Sequence, residues 1–257
     1  MNIKKAQVTL FIIVGVVILL GIVLFFFLFA KDFYVEVPPT KAPRNFIELC
    51  VEDSVNPSIR SVLDYGGLIE PRFTIMRNNH HYNYLCYTDT YYTKCYNYYP
   101  MLRRISEEEI RKDSVDRISE CFDFLIEDYK SRGFDVESGQ LDYNVEIVPG
   151  SVRLRINKPI NVRRGESADS FENFNMKIPS DLYELIVIAR NIVNQEAEFC
   201  YFEHNGFMIL YPQYNITRID YLESKIYEVQ NRRTKEVLKF ATRSCPYAPG
   251  FLGTELS

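Results

Sequence analysis

Six cysteines carry the most recognisable chemistry in this chain: Cys50, Cys86, Cys95, Cys121, Cys200 and Cys245. None stands in a C-x-x-C pair, so the spacing lacks the signatures of zinc sites and of thioredoxin-type redox centres. An even set of dispersed cysteines fits structural disulfides in an oxidising compartment. Cys86 and Cys95 lie symmetrically about Thr90-Tyr91, the centre of a predicted hairpin, where a cross-strand bridge is expected. Cys50 and Cys121 both fall on the apolar faces of predicted helices, where a bridge is plausible, and Cys200 would then remain for Cys245; six cysteines permit 15 pairings, and the sequence alone does not settle which.

The other reactive side chains form weaker patterns. His80 and His81 are adjacent, so a strand would send them to opposite faces, a poor chelate. His204 precedes Asn205-Gly206 and reads as a turn residue. Glu107, Glu108 and Glu109 could pass for paired carboxylates, but acids are favoured in a helix's first turn by its dipole. G-x-S-x-G, H-E-x-x-H, phosphate-loop and dinucleotide-binding patterns are absent from the sequence. The chain is therefore read as a non-enzyme that needs neither cofactor nor metal. Eight tyrosines crowd between Tyr82 and Tyr99. Tyrosine supplies rigid amphipathic contact area, so Tyr91, Tyr92, Tyr96 and Tyr98 are the candidate contact surface. Tyrosine also suits half-buried strands, and on that reading half of the cluster faces the core. Asn215-Ile216-Thr217 is an acceptor triplet for N-glycosylation, with Asn215 as the acceptor.

These groups must be positioned by a chain of 257 residues that opens with an apolar run. Val8 to Ala30 contains no charge, and a helix of that length reaches about 34 Å, enough for a hydrocarbon core of about 30 Å. The run is too long for the apolar core of a secretory signal. Lys4, Lys5 and the terminal amine precede it without any acid, which places residues 1–7 in the cytoplasm and residues 31–257 outside. The expected locale is thus the cell membrane, crossed once by residues 8–30. All 34 acids and 28 of the 30 Lys and Arg residues lie beyond the run, leaving that part at a net charge of -6. Arg103-Arg104, Arg163-Arg164 and Arg232-Arg233 are isolated pairs, so no concentrated basic footprint exists and nucleic acid is excluded as a partner.

Pro38, Pro39 and Pro43 make residues 31–44 an extended spacer. A domain follows over 45–245, with 246–257 as a loose tail; a break near 100–106 would divide it into two subdomains. Apolar spacing predicts a helix over 46–65, kinked or restarted at Asn56-Pro57 and ended by Gly66-Gly67. Ser106 to Glu109 reads as a capping box that starts a second helix running to about Arg132, with Ile110, Ser114, Ile118, Cys121, Phe122, Leu125 and Tyr129 inward. Leu141, Tyr143, Val145 and Ile147 point one way and Val152, Leu154 and Ile156 follow a Pro149-Gly150 turn, which predicts a hairpin. Two further strands flank a polar RRGESADS loop, and Ser180 caps a third helix reaching about Glu198. Strands 199–203 and 207–211 would flank a His204-Asn205-Gly206 turn, and 226–230 and 236–243 would form a last hairpin. The expected class is α+β: an N-terminal transmembrane helix, then about three helices on mainly antiparallel sheet, arranged as a degenerate helix-plus-meander repeat.

Lys5-Ala6 before Gln7 and the apolar run resembles the cleavage site of archaeal type IV prepilins. That resemblance implies cleavage between Ala6 and Gln7 and self-association in a filament, although the acid usual five residues into the mature chain is here Phe11. The start QVTLFIIVG and the pattern Cys50, Gly66-Gly67, Cys121 also resemble uncharacterised membrane-anchored surface proteins of small-genome archaea. Three functional readings follow. The first is an anchored, disulfide-stabilised envelope protein that binds another envelope protein or a surface glycan. The second is a pilin-like or pseudopilin-like subunit of a pilus or secretion system. The third is an extracytoplasmic enzyme with an unmarked site.

Overall fold

The last strand of the chain, residues 237–243, is inserted beside one of the first, and this join organises the molecule. The computed structural model describes residues 18–20, 42–70 and 72–248. Residues 1–7 with Ala6 and Gln7, most of the 8–30 run, the spacer as far as residue 41, and residues 249–257 lie outside the described residues. Ile18, Leu19 and Leu20 are helical. Among the described residues no helix is long and apolar enough to cross a membrane. The described residues from Arg44 onward form one compact unit.

Helix α1 spans Ala42–Asp64 and runs through Pro57 without a restart. The missing N–H costs one bond, but Ile47, Val51 and Val55 before Pro57 and Ile59 and Val62 after it are all buried on one stripe. Burial of each such side chain contributes about 1.5–3 kcal/mol, enough to outweigh the break. Gly66 and Gly67 then stop the helix at φ 67° and 97°. The Gly67 N–H returns to the Val62 carbonyl at 2.7 Å.

Helix α2 spans Leu102–Ser131, one turn longer at its start than the capping box implies. Ser106 caps nothing: it is fully buried inside the helix and donates to the Gly67 and Leu102 carbonyls. The apolar contact of Leu102, which is 1 % exposed, draws the extra turn into the helix. The inward stripe from Ile110 to Tyr129 is as the spacing predicts. Helix α3 spans Leu182–Phe199, and the Ser180 hydroxyl accepts from the Leu182 N–H. Helix α4, His204–Leu210, replaces the expected turn between two strands. The Glu203 carboxylate accepts from the Asn205 and Gly206 N–H groups and so starts a helix where Asn-Gly suggests a hairpin.

Among the described residues ten strands form two sheets: β1 Thr74–Arg77, β2 His80–Tyr87, β3 Tyr96–Asn97, β4 Asp135–Ser138, β5 Asp142–Val148, β6 Ser151–Arg164, β7 Ser167–Pro179, β8 Tyr214–Tyr221, β9 Ser224–Asn231 and β10 Val237–Arg243. In the smaller sheet β6 pairs with β7 on one edge and with β5 and β4 in succession on the other. The RRGESADS segment is mostly strand rather than loop, because Arg163 and Arg164 pair with Ala168 and Ser167 across a turn at Gly165. The larger sheet runs β1-β2-β10-β9-β8, with β3 also on β2. Among the described residues only β2 and β10 are parallel; the other pairs are antiparallel. The two sheets differ in order and size, so the expected helix-plus-meander repeat is not present. One large core joins the helices to both sheets. A second, smaller cluster on the larger sheet comprises Tyr82, Tyr84, Ile226 and Ala241 with Ile75, Tyr87, Ile219 and Tyr221 around them, all strand residues.

Candidate functional site

The second cluster lies on the outer face of the larger sheet, and an irregularity in β2 builds it. Alternation sends Tyr82 and Tyr84 outward. Tyr84 pairs with Ala241 and Cys86 with Thr242, so Leu85 is an extra residue on the β2 side. Such a bulge lets two consecutive residues face one way. Leu85 and Cys86 both point into the main core, and Tyr87 is returned to the face of Tyr82 and Tyr84. Phe73 closes over this row, with ring centroids 5.1 Å from Tyr84, 4.6 Å from Tyr87 and 6.2 Å from Tyr98.

The row continues into the segment between β2 and β3, which several bonds hold in place. Cys86 is bonded to Cys95. The Cys95 N–H donates to Ser244 Oγ, which donates to the carbonyl of Glu196 on α3. The Cys245 N–H donates to the Thr93 carbonyl and the Tyr92 N–H to the Pro246 carbonyl. Cys245 is itself bonded to Cys200 at the end of α3, and Cys50 of α1 to Cys121 of α2. Tyr92 sits at φ 60°, a left-handed conformation that costs a bulky L residue about 1–2 kcal/mol. Its ring meets those of Tyr91 and Tyr247.

Arg243 locks the centre. Its guanidinium lies 5.5 Å from the Tyr87 centroid and 5.4 Å from that of Tyr91. It donates to the Thr88 carbonyl and pairs with Glu223, while the Tyr91 hydroxyl donates to the other Glu223 oxygen at 3.0 Å. The hydrogen bonds from Arg243 and Tyr91 hold the Glu223 carboxyl below its usual range, and the bond to Glu223 raises the Tyr91 phenol. Burial pushes Tyr82 up to about 12, helped by its hydrogen bond to Glu228, and burial also raises Tyr84, whose hydroxyl meets Ser224 Oγ at 2.8 Å. The raised phenols of Tyr82, Tyr84 and Tyr91 stay uncharged at neutral pH, and Arg243 is matched by Glu223. The patch thus offers aromatic faces and hydroxyls with little net charge.

Of the four tyrosines named from the sequence, Tyr91 and Tyr92 adjoin one another, Tyr98 joins the Phe73 row, and Tyr96 is the most exposed at 77 %. Phe73, Tyr87, Glu223, Arg243 and Tyr247 are further members that the sequence reading missed. For Tyr87 a signal existed: the tyrosine spacing changes from two to three at Leu85-Cys86. Arg243 and Glu223 are too distant in sequence to be connected without the fold.

No family model, curated protein or solved structure matches this chain. Other reactive groups named from the sequence are engaged by their neighbours, His204 excepted, whose Nδ1 is buried without a hydrogen-bond partner. His80 meets the Asp64 carbonyl and stacks on Tyr65, and His81 meets Thr74 Oγ1. Glu108 pairs with Arg111, whose hydrogen bond lowers it to about 2; Glu107 accepts from the Ile147 N–H and Glu109 from that of Ile69. Among the described residues no three His, Cys, Asp or Glu side chains converge to hold a metal. Asn215 lies on β8, opposite Gln230.

Proposed function

We propose that this is a single-pass, membrane-anchored envelope protein whose disulfide-stabilised domain lies outside the cell and binds a surface partner through the tyrosine patch. The observation that carries the reading is the fixed segment 88–98. Two disulfides, a buried relay through Ser244 and the Arg243 clamp hold four exposed tyrosines in place. Preorganisation of this kind lowers the entropy lost when a partner is bound. Tyr92 keeps an aromatic ring where glycine or asparagine would be less strained, which favours a role for the ring itself. The hydroxyl-rich surface, in which Asp89 and Lys94 offset one another as Glu223 and Arg243 do, suits a glycan or another envelope protein. The net charge of -6 beyond residue 30 argues against polyanions.

The test is retention of the detergent-purified full chain on envelope fragments from its own host. Alanine at Tyr91, Tyr92, Tyr96 and Tyr98 together should reduce retention at least tenfold while the chain still unfolds cooperatively in urea with its disulfides formed. Equal retention by the variant refutes the contact surface.

A pilin-like subunit is the second reading, favoured by Lys5-Ala6-Gln7 before the apolar run. A mature chain that begins at Gln7, found in filaments, would move it ahead. An intact N-terminus would remove it.

A further inference from the structure

We infer that Asn215 is a glycan attachment site, placed at the rim of the open sheet face. The inference rests on the reading that this domain lies outside the membrane, but not on the tyrosine patch. The triplet Asn215-Ile216-Thr217 has an unrestricted middle residue, and β8 spreads it so that its two reactive members share a face. Ile216 is the core residue, 2 % exposed and paired with Val229. Asn215 and Thr217 therefore both point to the outer face, opposite Gln230 and Glu228. Thr217 is exposed and Asn215 half-buried, and neither side chain has a hydrogen-bond partner among the described residues. The two groups that a transferase must engage are thus presented together on a terminal strand, with the apolar residue between them turned away.

The position also has a physical use. β8 is the end of the sheet path, and an end strand offers unpaired backbone groups to other chains. Helix α4 covers part of it, with Met208 Sδ accepting from the Ile216 N–H. A bulky hydrophilic glycan at Asn215 would hinder pairing along the rest. The donor class is an oligosaccharide linked through phosphate or diphosphate to a polyprenyl lipid. The Asn215 amide nitrogen forms a bond to the anomeric carbon, the bond from that carbon to the lipid phosphate oxygen breaks, the phosphate leaves with the electron pair, and the amide loses one proton to the transferase.

The experiment is peptide mass analysis of the full chain purified from its host membrane, as parent and as Asn215→Gln, Thr217→Ala and Thr217→Ser, with thiol alkylation before any reduction. A sugar mass on the Asn215 peptide that persists in Thr217→Ser and is lost in Asn215→Gln and Thr217→Ala supports the inference. An unmodified Asn215 in a chain without free thiols overturns it and leaves the outside location standing. An unmodified Asn215 with six alkylated cysteines overturns both.

Discussion

Gly67 offers a sharp test of how α1 is joined to α2. At φ 97° an L residue is strained, and a Cβ built there would lie 2.4 Å from Leu102 Cδ1 and 3.1 Å from Ser106 Oγ. Gly150 is the control, at φ 72° with nothing within 4 Å of its Cβ position. The left-handed conformation alone costs about 1–2 kcal/mol. Overlap in a packed interior adds about 1–3 kcal/mol, because Leu102 must leave its rotamer or the helices must part. Gly67→Ala should therefore lose about 2–5 kcal/mol and Gly150→Ala only about 1–2 kcal/mol. Urea unfolding of the detergent-solubilised chain, disulfides intact, reads the difference. Leu102→Ala removes the obstructing atom at its own cost of about 2–5 kcal/mol. The double variant should then fall short of the summed losses by about 1–3 kcal/mol, a coupling expected only of residues in contact. Equal losses at Gly67 and Gly150, or strict additivity with Leu102→Ala, would refute the packing described for this junction.

Asn83 is fully buried, with its carbonyl accepting from the Arg72 and Phe73 N–H groups and its amide donating to the Tyr65 carbonyl. Asn83→Ala leaves these groups orphaned and should cost about 2–4 kcal/mol by the same urea assay. Glu196 is likewise fully buried and holds Lys225 at 2.7 Å and the Tyr227 hydroxyl at 2.5 Å. Glu196→Ala should cost about 3–5 kcal/mol, because it removes the counter-ion of Lys225, leaving it only the Cys200 carbonyl, and orphans the buried Tyr227 hydroxyl. Burial raises Tyr82 and Tyr143 to about 12, and raises Tyr227 as well. Their contribution is complete below pH of about 10, the unfolded phenol's range, and is lost as pH rises from there through about 12. Absorbance titration should show Tyr82, Tyr143 and Tyr227 ionising only with alkaline unfolding.

Helix faces were the most legible part of the sequence. Ile110, Ser114, Ile118 and Cys121, or Leu182, Leu185, Ile186 and Ala189, have a spacing that admits one buried stripe. The disulfide partners followed in part from those stripes, since Cys50 and Cys121 both face inward. Short-range rules misled where a tertiary contact outbid them. Ser106 has the neighbours of a cap, yet the Gly67 carbonyl claims its hydroxyl. His204-Asn205-Gly206 has the composition of a hairpin turn, yet Glu203 supplies a helix start. The tyrosine cluster could be seen, but not which rings are outward, because one extra residue at Leu85 resets the alternation. The clamp on Tyr91 depends on Arg243 and Glu223, and only the β9–β10 hairpin and the parallel β2–β10 join bring them to it.

That parallel join sets an order of events during synthesis. β2 and β9 are neighbours of β10, never of each other, so the larger sheet stays in two pieces until residues 237–243 are available. A chain synthesised from its amino end would carry two open strand edges, at β2 and β9, until that last segment is made. The tyrosine row lies along one of them. Closure would come with the last strand, which unites the pieces, brings Cys245 to Cys200 and sets Arg243 between Tyr87 and Tyr91 in a single step. A chain cut before residue 237 would remain permanently in the open state, prone to pair with its own copies rather than to present a weakened version of the same surface.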